Sequence, residues 1–407
     1  MPLRKIAFWI HLACGVTAGA VILVMSVTGV LLTYQKQMTQ WADRAHWVAP
    51  EIDGARAPLS YIVDRARSYD PEADVSSVVL YSDPQAPAAV SLGGGRTVYL
   101  DPSTGAVRGE SATGMRTFMS ATVRMHRWLG ASGDTRATTR AITGWSNLVF
   151  LFLILSGLYL WVPRKWSWTH LRPALVLNPA ARGKARDFNW HHVFGFWMAI
   201  PLAVVVGSAT VISFPWASDL AYRVVGDSPP VRSAGRGEAS PRSPAVAAVP
   251  GASGLVALPA PGSATPPFEP APAPFETSRL DALVPAAMSK VDDWRSLTVT
   301  IPDEADTPVQ MRIYRGGLGE PQKRYTVRYD AGTGEEIGWE AFADQSRGRR
   351  FRTFLRFAHT GEYFGVWGQT VAGFASLAGV LLVWSGLALA WRRLVVQPLR
   401  RRLRHAV

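Results

Sequence analysis

Four of the eight histidines occupy positions where an ionisable side chain is costly. His11 lies in the first turns of a long apolar run near the N terminus, and His191 in the first turns of another. His126 and His359 each shortly precede a further apolar run. Ionisable residues at membrane depth are functional candidates by default, and neutral imidazole is a ligand for haem iron and for divalent metals. The spacing adds to this, because His11–Gly15, His126–Gly130 and His191–Gly195 all have the form His-x-x-x-Gly. On a helix this removes the side chain one turn from the histidine, which is the clearance a planar porphyrin needs. His359 departs from the form, with Gly361 and Gly365. His192 is the alternative to His191, because Trp9-x-His11 also matches Trp190-x-His192.

A lone histidine at a helix end is ordinarily an interfacial residue or a satisfied hydrogen-bond donor. These four stand out because they fall at equivalent points of a repeat. A zinc site would want four ligands with thiolate or carboxylate help. Near His11 and His191 the only carboxylate is Asp187, one turn outside the apolar run. Met25 and Met125 read as packing residues, and His46, His170 and His405 as surface residues.

The elements that carry the histidines are membrane spans. Apolar residues make up 48% of the chain and gather in stretches long enough to cross a bilayer: Phe8 to Tyr34, Ile142 to Val162, Trp190 to Phe214 and Trp367 to Trp391. The first outlasts a signal-peptide core and reads as a retained anchor. The net charge of +13 sits mostly beside these runs, so it reports topology and not nucleic-acid binding. Lys and Arg cluster before span one, between spans two and three, and after span four, which places those segments and both termini in the cytoplasm. The long connections then lie outside.

Those connections repeat each other. Each reads as a helical stretch (Leu59–Tyr69; near Leu280–Val291), two strands (Val75–Tyr81 and Ala88–Leu92; Ser296–Ile301 and Val309–Tyr314) and an Asp/Gly turn (101–105; 330–334). Arg116-Thr117-Phe118 and Arg352-Thr353-Phe354 precede the outer histidines, and Ser156-Gly157-Leu158 in span two matches Ser385-Gly386-Leu387 in span four. The fold class is therefore a four-helix membrane protein of two pseudo-symmetric halves with two α+β outer domains. The expected order is span 1–34, outer domain 35–112, histidine-bearing segment 113–141, span 142–163 and basic loop 164–189. Then come span 190–214, outer domain 215–350 with a Pro/Ala-rich flexible insert at 227–277, histidine-bearing segment 351–366, span 367–391 and basic tail 392–407. Parallel halves bring His11 to face His191, and His126 to face His359, each pair able to supply both axial ligands of one haem. Cys14 is the one cysteine and no Cys-x-x-Cys-His attachment exists, so two haems of the b type are expected.

The chain resembles the PepSY-associated transmembrane proteins of bacterial inner membranes linked to siderophore-iron uptake. Met125-His126-Arg127-Trp128-Leu129-Gly130, Trp190-His191-His192-Val193-Phe194-Gly195 and Ala358-His359-Thr360-Gly361 carry the resemblance, and the outer units resemble PepSY domains. It implies an oxidoreductase that passes electrons across the membrane to a periplasmic ferric siderophore or other iron chelate. The sequence offers no room for a fused flavoprotein reductase, so the donor is expected to be a separate cytoplasmic reductase, a quinol or a small reductant. A PepSY-type sensory or inhibitory module anchored by the spans, and a non-redox chelate transporter, are the competing readings.

Overall fold

The computed structural model describes residues 2–47, 55–84, 86–163, 165–231, 275–304, 307–317 and 320–399. Most of the Pro/Ala-rich insert, Arg164, the end of the basic tail and His405 lie outside the described residues.

The first half runs α1 (Pro2–Leu32), α2 (Gln35–Ala42), α3 (Leu59–Tyr69), β1 (Val75–Tyr81), β2 (Ala88–Leu92), β3 (Thr97–Leu100), β4 (Val107–Glu110), α4 (Thr113–Trp128) and α5 (Thr135–Trp161). A short α6 (Trp168–Leu175) leads to the second half. That half runs α7 (Gly183–Trp197), α8 (Ala199–Ser213), α9 (Pro215–Val224), α10 (Leu280–Met288), β5 (Ser296–Thr300), β6 (Val309–Tyr314), β7 (Arg324–Tyr329), β8 (Glu336–Ala341), α11 (Arg347–Thr360) and α12 (Gly365–Trp391).

Among the described residues three helical runs are long and apolar enough to cross a membrane: Leu3–Leu32, Thr135–Trp161 and Glu362–Leu399. The third apolar segment departs from the expected single helix. It is the pair α7 and α8, bent by 68° at Met198. Pro201 accounts for the break: it has no N–H for the Trp197 carbonyl, and in a continuous helix its ring would clash with that same carbonyl. α1 packs against α5 and α12, α7 against α12, and α8 against α5. Small residues bring α1 and α12 close together. Gly29 lies against Ser376, Gly373 against Thr33, and Gly379 against Ser26.

The two long connections repeat as the sequence suggests, but they do not fold apart. The eight strands of the described residues form one antiparallel sheet in the order β4-β3-β2-β1-β5-β6-β7-β8. Each half contributes a meander, and the two join where β1 pairs with β5, Val78 opposite Val299. Pairing these edges satisfies backbone groups that two separate sheets would expose. β6 alternates strictly, with Val309, Met311 and Ile313 buried, and α3 and α10 cover that apolar face as one shared core. Asp281 of α10 accepts both the backbone N–H and the hydroxyl of Ser60, tying the helices of the two halves together. The Asp/Gly turns match as well. Asp101 accepts the N–H groups of Ser103 and Thr104, and Asp330 those of Gly332 and Thr333.

Candidate functional site

The helices set the four histidines in two facing pairs. The rings of His11 on α1 and His191 on α7 have centres 6.5 Å apart. Those of His126 on α4 and His359 on α11 are 6.3 Å apart. The layers are well separated along α1. Thr28, which touches His126, follows His11 by seventeen residues, ~26 Å of helix.

Each ring is held from behind through Nδ1. His11 meets the Ser156 hydroxyl at 2.9 Å, His191 the Ser385 hydroxyl at 3.1 Å, and His126 the Thr28 hydroxyl at 2.9 Å. His359 meets the main-chain carbonyl of Val205 at 2.8 Å. A carbonyl only accepts, so His359 carries its hydrogen on Nδ1. The three hydroxyls lead to the same tautomer by a second step. Ser156 donates to the Phe152 carbonyl, Ser385 to that of Leu381 and Thr28 to that of Val24. A hydroxyl has one hydrogen, so towards the histidine each can only accept. All four imidazoles therefore hold Nδ1–H and present a bare Nε2, the arrangement that metal-ligating histidines use to fix ring orientation.

The histidine-bearing helices α4 and α11 are fixed at both ends. The buried Asp43 accepts the Ala112 N–H at 2.6 Å ahead of α4, together with Arg116 at 2.6 Å and the Tyr99 hydroxyl at 2.8 Å. In the second half Asp227 accepts the Gly348 N–H at 2.8 Å at the start of α11. α4 ends as Leu129 turns left-handed, with Gly130 beside it at φ 83°. α11 ends at Gly361, φ 76°.

Two nitrogens per layer suit a haem better than a bare ion. Among the described residues no group of three or more His, Cys, Asp or Glu side chains comes together to hold a metal. A metal held by only two imidazoles takes its remaining ligands from elsewhere, and a haem would bring them as its own macrocycle nitrogens. Metal–imidazole bonds of ~2 Å place the two ring centres about 6 Å apart, and both pairs stand at that separation. The donor set thus fits a bis-histidine haem in each layer, with Nδ1–H already engaged.

A family model described as the PepSY-associated TM region matches residues 8–393, a span that includes all four histidines. The chain belongs to the PepSY-associated TM family. A search among curated proteins finds no match. With its several apolar helices, this PepSY-associated chain is a multi-pass membrane protein carrying an additional sheet region.

Several sequence readings need correction on this family's scaffold. Gly130 is not one helical turn along from His126, because α4 stops at Trp128 and Gly130 serves the helix end. A Cβ at Gly195 would meet Leu382 at 3.6 Å, whereas one at Gly15 would meet nothing within 4 Å, so the clearance argument suits Gly15 alone. Glycines that do border the paired imidazoles are Gly157 beside His11, Gly386 beside His191 and Gly29 beside His126, where an added Cβ would stand 3.4, 3.2 and 3.7 Å from the ring. His192 turns onto its own helix, with Nδ1 on the Phe188 carbonyl and its ring 3.9 Å from that of Phe188. His46 is not a free surface residue, since it stacks on Tyr99 and its Nδ1 reaches the Arg108 carbonyl. The residues missed from sequence are Ser156, Ser385, Thr28 and Asp43. The repeated Ser-Gly-Leu triplet was the visible signal for the two serines, because a serine in an apolar span needs a partner.

Proposed function

We propose that the chain is a di-haem b protein of the bacterial inner membrane that carries electrons outward to a periplasmic ferric chelate, a siderophore, so that ferrous iron is released. One observation carries this reading: two facing histidine pairs, ~26 Å apart along α1, every ring held in the Nδ1–H tautomer. In this reading α7 and α8 together form the third of four spans. The distribution of Lys and Arg then puts the His11–His191 layer on the cytoplasmic side and the sheet in the periplasm.

His11 and His191 would hold one haem, and His126 and His359 the other. A bound haem supplies one-electron chemistry, tuned by axial ligand and burial. The chain supplies the rest. Ser156 and Ser385 orient the inner imidazoles, and Thr28 and the Val205 carbonyl orient the outer ones. The bilayer core is ~30 Å thick, so a layer near each face divides a crossing that one haem could not bridge. α4 and α11 each follow the sheet in the chain and carry one histidine of the outer pair, so an acceptor held by the sheet region would be linked to His126 and His359 through these two helices. The electron comes from a cytoplasmic reductase, a quinol or a small reductant. Iron reduced to the ferrous state binds hard oxygen donors less tightly and leaves the chelate.

The test is transfer across a sealed membrane. Proteoliposomes loaded with dithionite and given an external ferric chelate with a ferrous-specific dye should develop colour only when the protein is present. Colour at the same rate in protein-free liposomes, or in a His11→Ala and His359→Ala double variant, would sink the reading.

A further inference from the structure

A shallow, open cavity of about 390 Å³ lies where the second half's sheet meets its histidine-bearing helix. Its floor is aromatic, made by Phe351 and Phe354 of α11 with Phe342 and Tyr363. Phe351 and Phe354 lie parallel with centres 6.3 Å apart, and Tyr363 meets Phe354 edge-on at 4.8 Å. Its cations are Arg347 and Arg350. Neither guanidinium has an ion-pair partner among the described residues, and no carboxylate lines the cavity. The neighbouring Arg349 differs, being paired with Glu340 at 3.2 Å.

The internal repeat shows that the scaffold does not demand this cavity. Aligning Arg116-Thr117-Phe118 with Arg352-Thr353-Phe354 puts Ser111, Gly114 and Met115 where Arg347, Arg350 and Phe351 stand. The capping contacts agree with that alignment, since Ala112 and Gly348 are the residues held by Asp43 and Asp227. Both halves keep the arginine, the phenylalanine and the histidine further along the helix, yet one half alone has two extra cations and an extra ring. At Gly348 there is no side chain, and the ring of Tyr222 packs onto its backbone, so α9 closes on α11 and Val225 forms the cavity's edge.

We infer that this cavity binds a ferric catecholate chelate, an anionic ligand with flat aromatic faces; the inference rests on the electron-transfer reading and names its acceptor class and docking site. The aromatic rings offer stacking surfaces, and the two guanidiniums offer bidentate donors to catecholate oxygens. The volume lies within the range of small-molecule sites. Phe354 precedes His359 by five residues, ~7.5 Å of rise along the same helix, and is turned about 140° around α11 from the histidine.

The experiment is calorimetric titration of the detergent-solubilised full chain with ferric tris-catecholate, with the haem absorption recorded on the same samples. The wild-type chain should bind, with affinity falling as salt rises, and a neutral ferric hydroxamate should not compete. Arg347→Gln with Arg350→Gln should weaken binding about tenfold or more, while Arg349→Gln leaves it unchanged. Wild-type affinity in the double variant, or equal competition by the hydroxamate, overturns the inference. Should the double variant fail to fold, the wild-type chain decides: the chelate protects Arg347 and Arg350 from phenylglyoxal, and lack of protection overturns the site. A haem band without chelate binding overturns the site and leaves the electron-transfer reading standing. Chelate binding without a haem band supports the site and removes the electron-transfer reading.

Discussion

His11 and His191 face each other with ring centres 6.5 Å apart, and each is held from behind by a serine on a different helix, Ser156 of α5 and Ser385 of α12. The two contacts are the same contact made twice, once in each half. Four helices thus meet at one pair of rings, so the inner layer depends on the packing of the whole bundle.

The serines should therefore tune ligand binding without being ligands. Ser156→Ala or Ser385→Ala removes the acceptor for one Nδ1–H and frees that ring to rotate. Loss of such a partner commonly lowers metal affinity roughly 10- to 100-fold. Haem titration of the haem-depleted protein should show the weakening in one of two sites, and a threonine replacement should restore it. Equal affinity in the alanine variants would show that the serines serve packing only.

Gly361 should matter to the outer layer. It ends α11 two residues after His359 at φ 76°, a region that costs an L-residue about 1 kcal/mol or more. A Cβ there would also collide with the Gly368 carbonyl on α12. Gly361→Ala should destabilise the protein by more than ~2 kcal/mol and displace His359. The readouts are thermal unfolding followed by circular dichroism and a haem content falling from two per chain towards one.

Much of this was legible in the sequence, for identifiable reasons. The histidines showed because an ionisable side chain next to an apolar run has few bland explanations, and the repeat showed which of them pair. The helix Leu59–Tyr69 and the strands Val75–Tyr81, Ala88–Leu92 and Val309–Tyr314 fall where alternation and turn residues place them. The break at Met198 was hidden because Pro201 sits inside an unbroken apolar run, and proline is tolerated in membrane helices. The single sheet was hidden because the β1–β5 pairing joins residues more than two hundred positions apart, with no local signal. The Asp43 cap was hidden because its partners Tyr99, Ala112 and Arg116 are brought to it only by the fold.

Acid should loosen the sheet region through Asp101. Burial raises its pKa, but the Arg108 guanidinium at 2.5 Å and the N–H groups of Thr104 and Ser103 outweigh burial and hold it at about 2. The folded value lies below the unfolded one, so Asp101 contributes its full stability above pH ~4, and that contribution is lost as the pH falls through about 2. The contribution is ~2 kcal/mol. Unfolding followed by circular dichroism from pH 5 down to pH 2 should show this slope, and Asp101→Asn should flatten it while lowering stability at pH 7. An unchanged slope in the variant would assign the acid sensitivity elsewhere.

Each of the two histidine pairs should hold a haem b. The direct measurement is the dithionite-reduced minus oxidised absorption spectrum of the purified protein, quantified per chain. A b-type α band corresponding to two haems is expected, cut to about half by His126→Ala or His359→Ala and by His11→Ala or His191→Ala, and left whole by His192→Ala. A protein produced with haem available that shows no such band, or one whose band survives loss of a ligand from each pair, would contradict it.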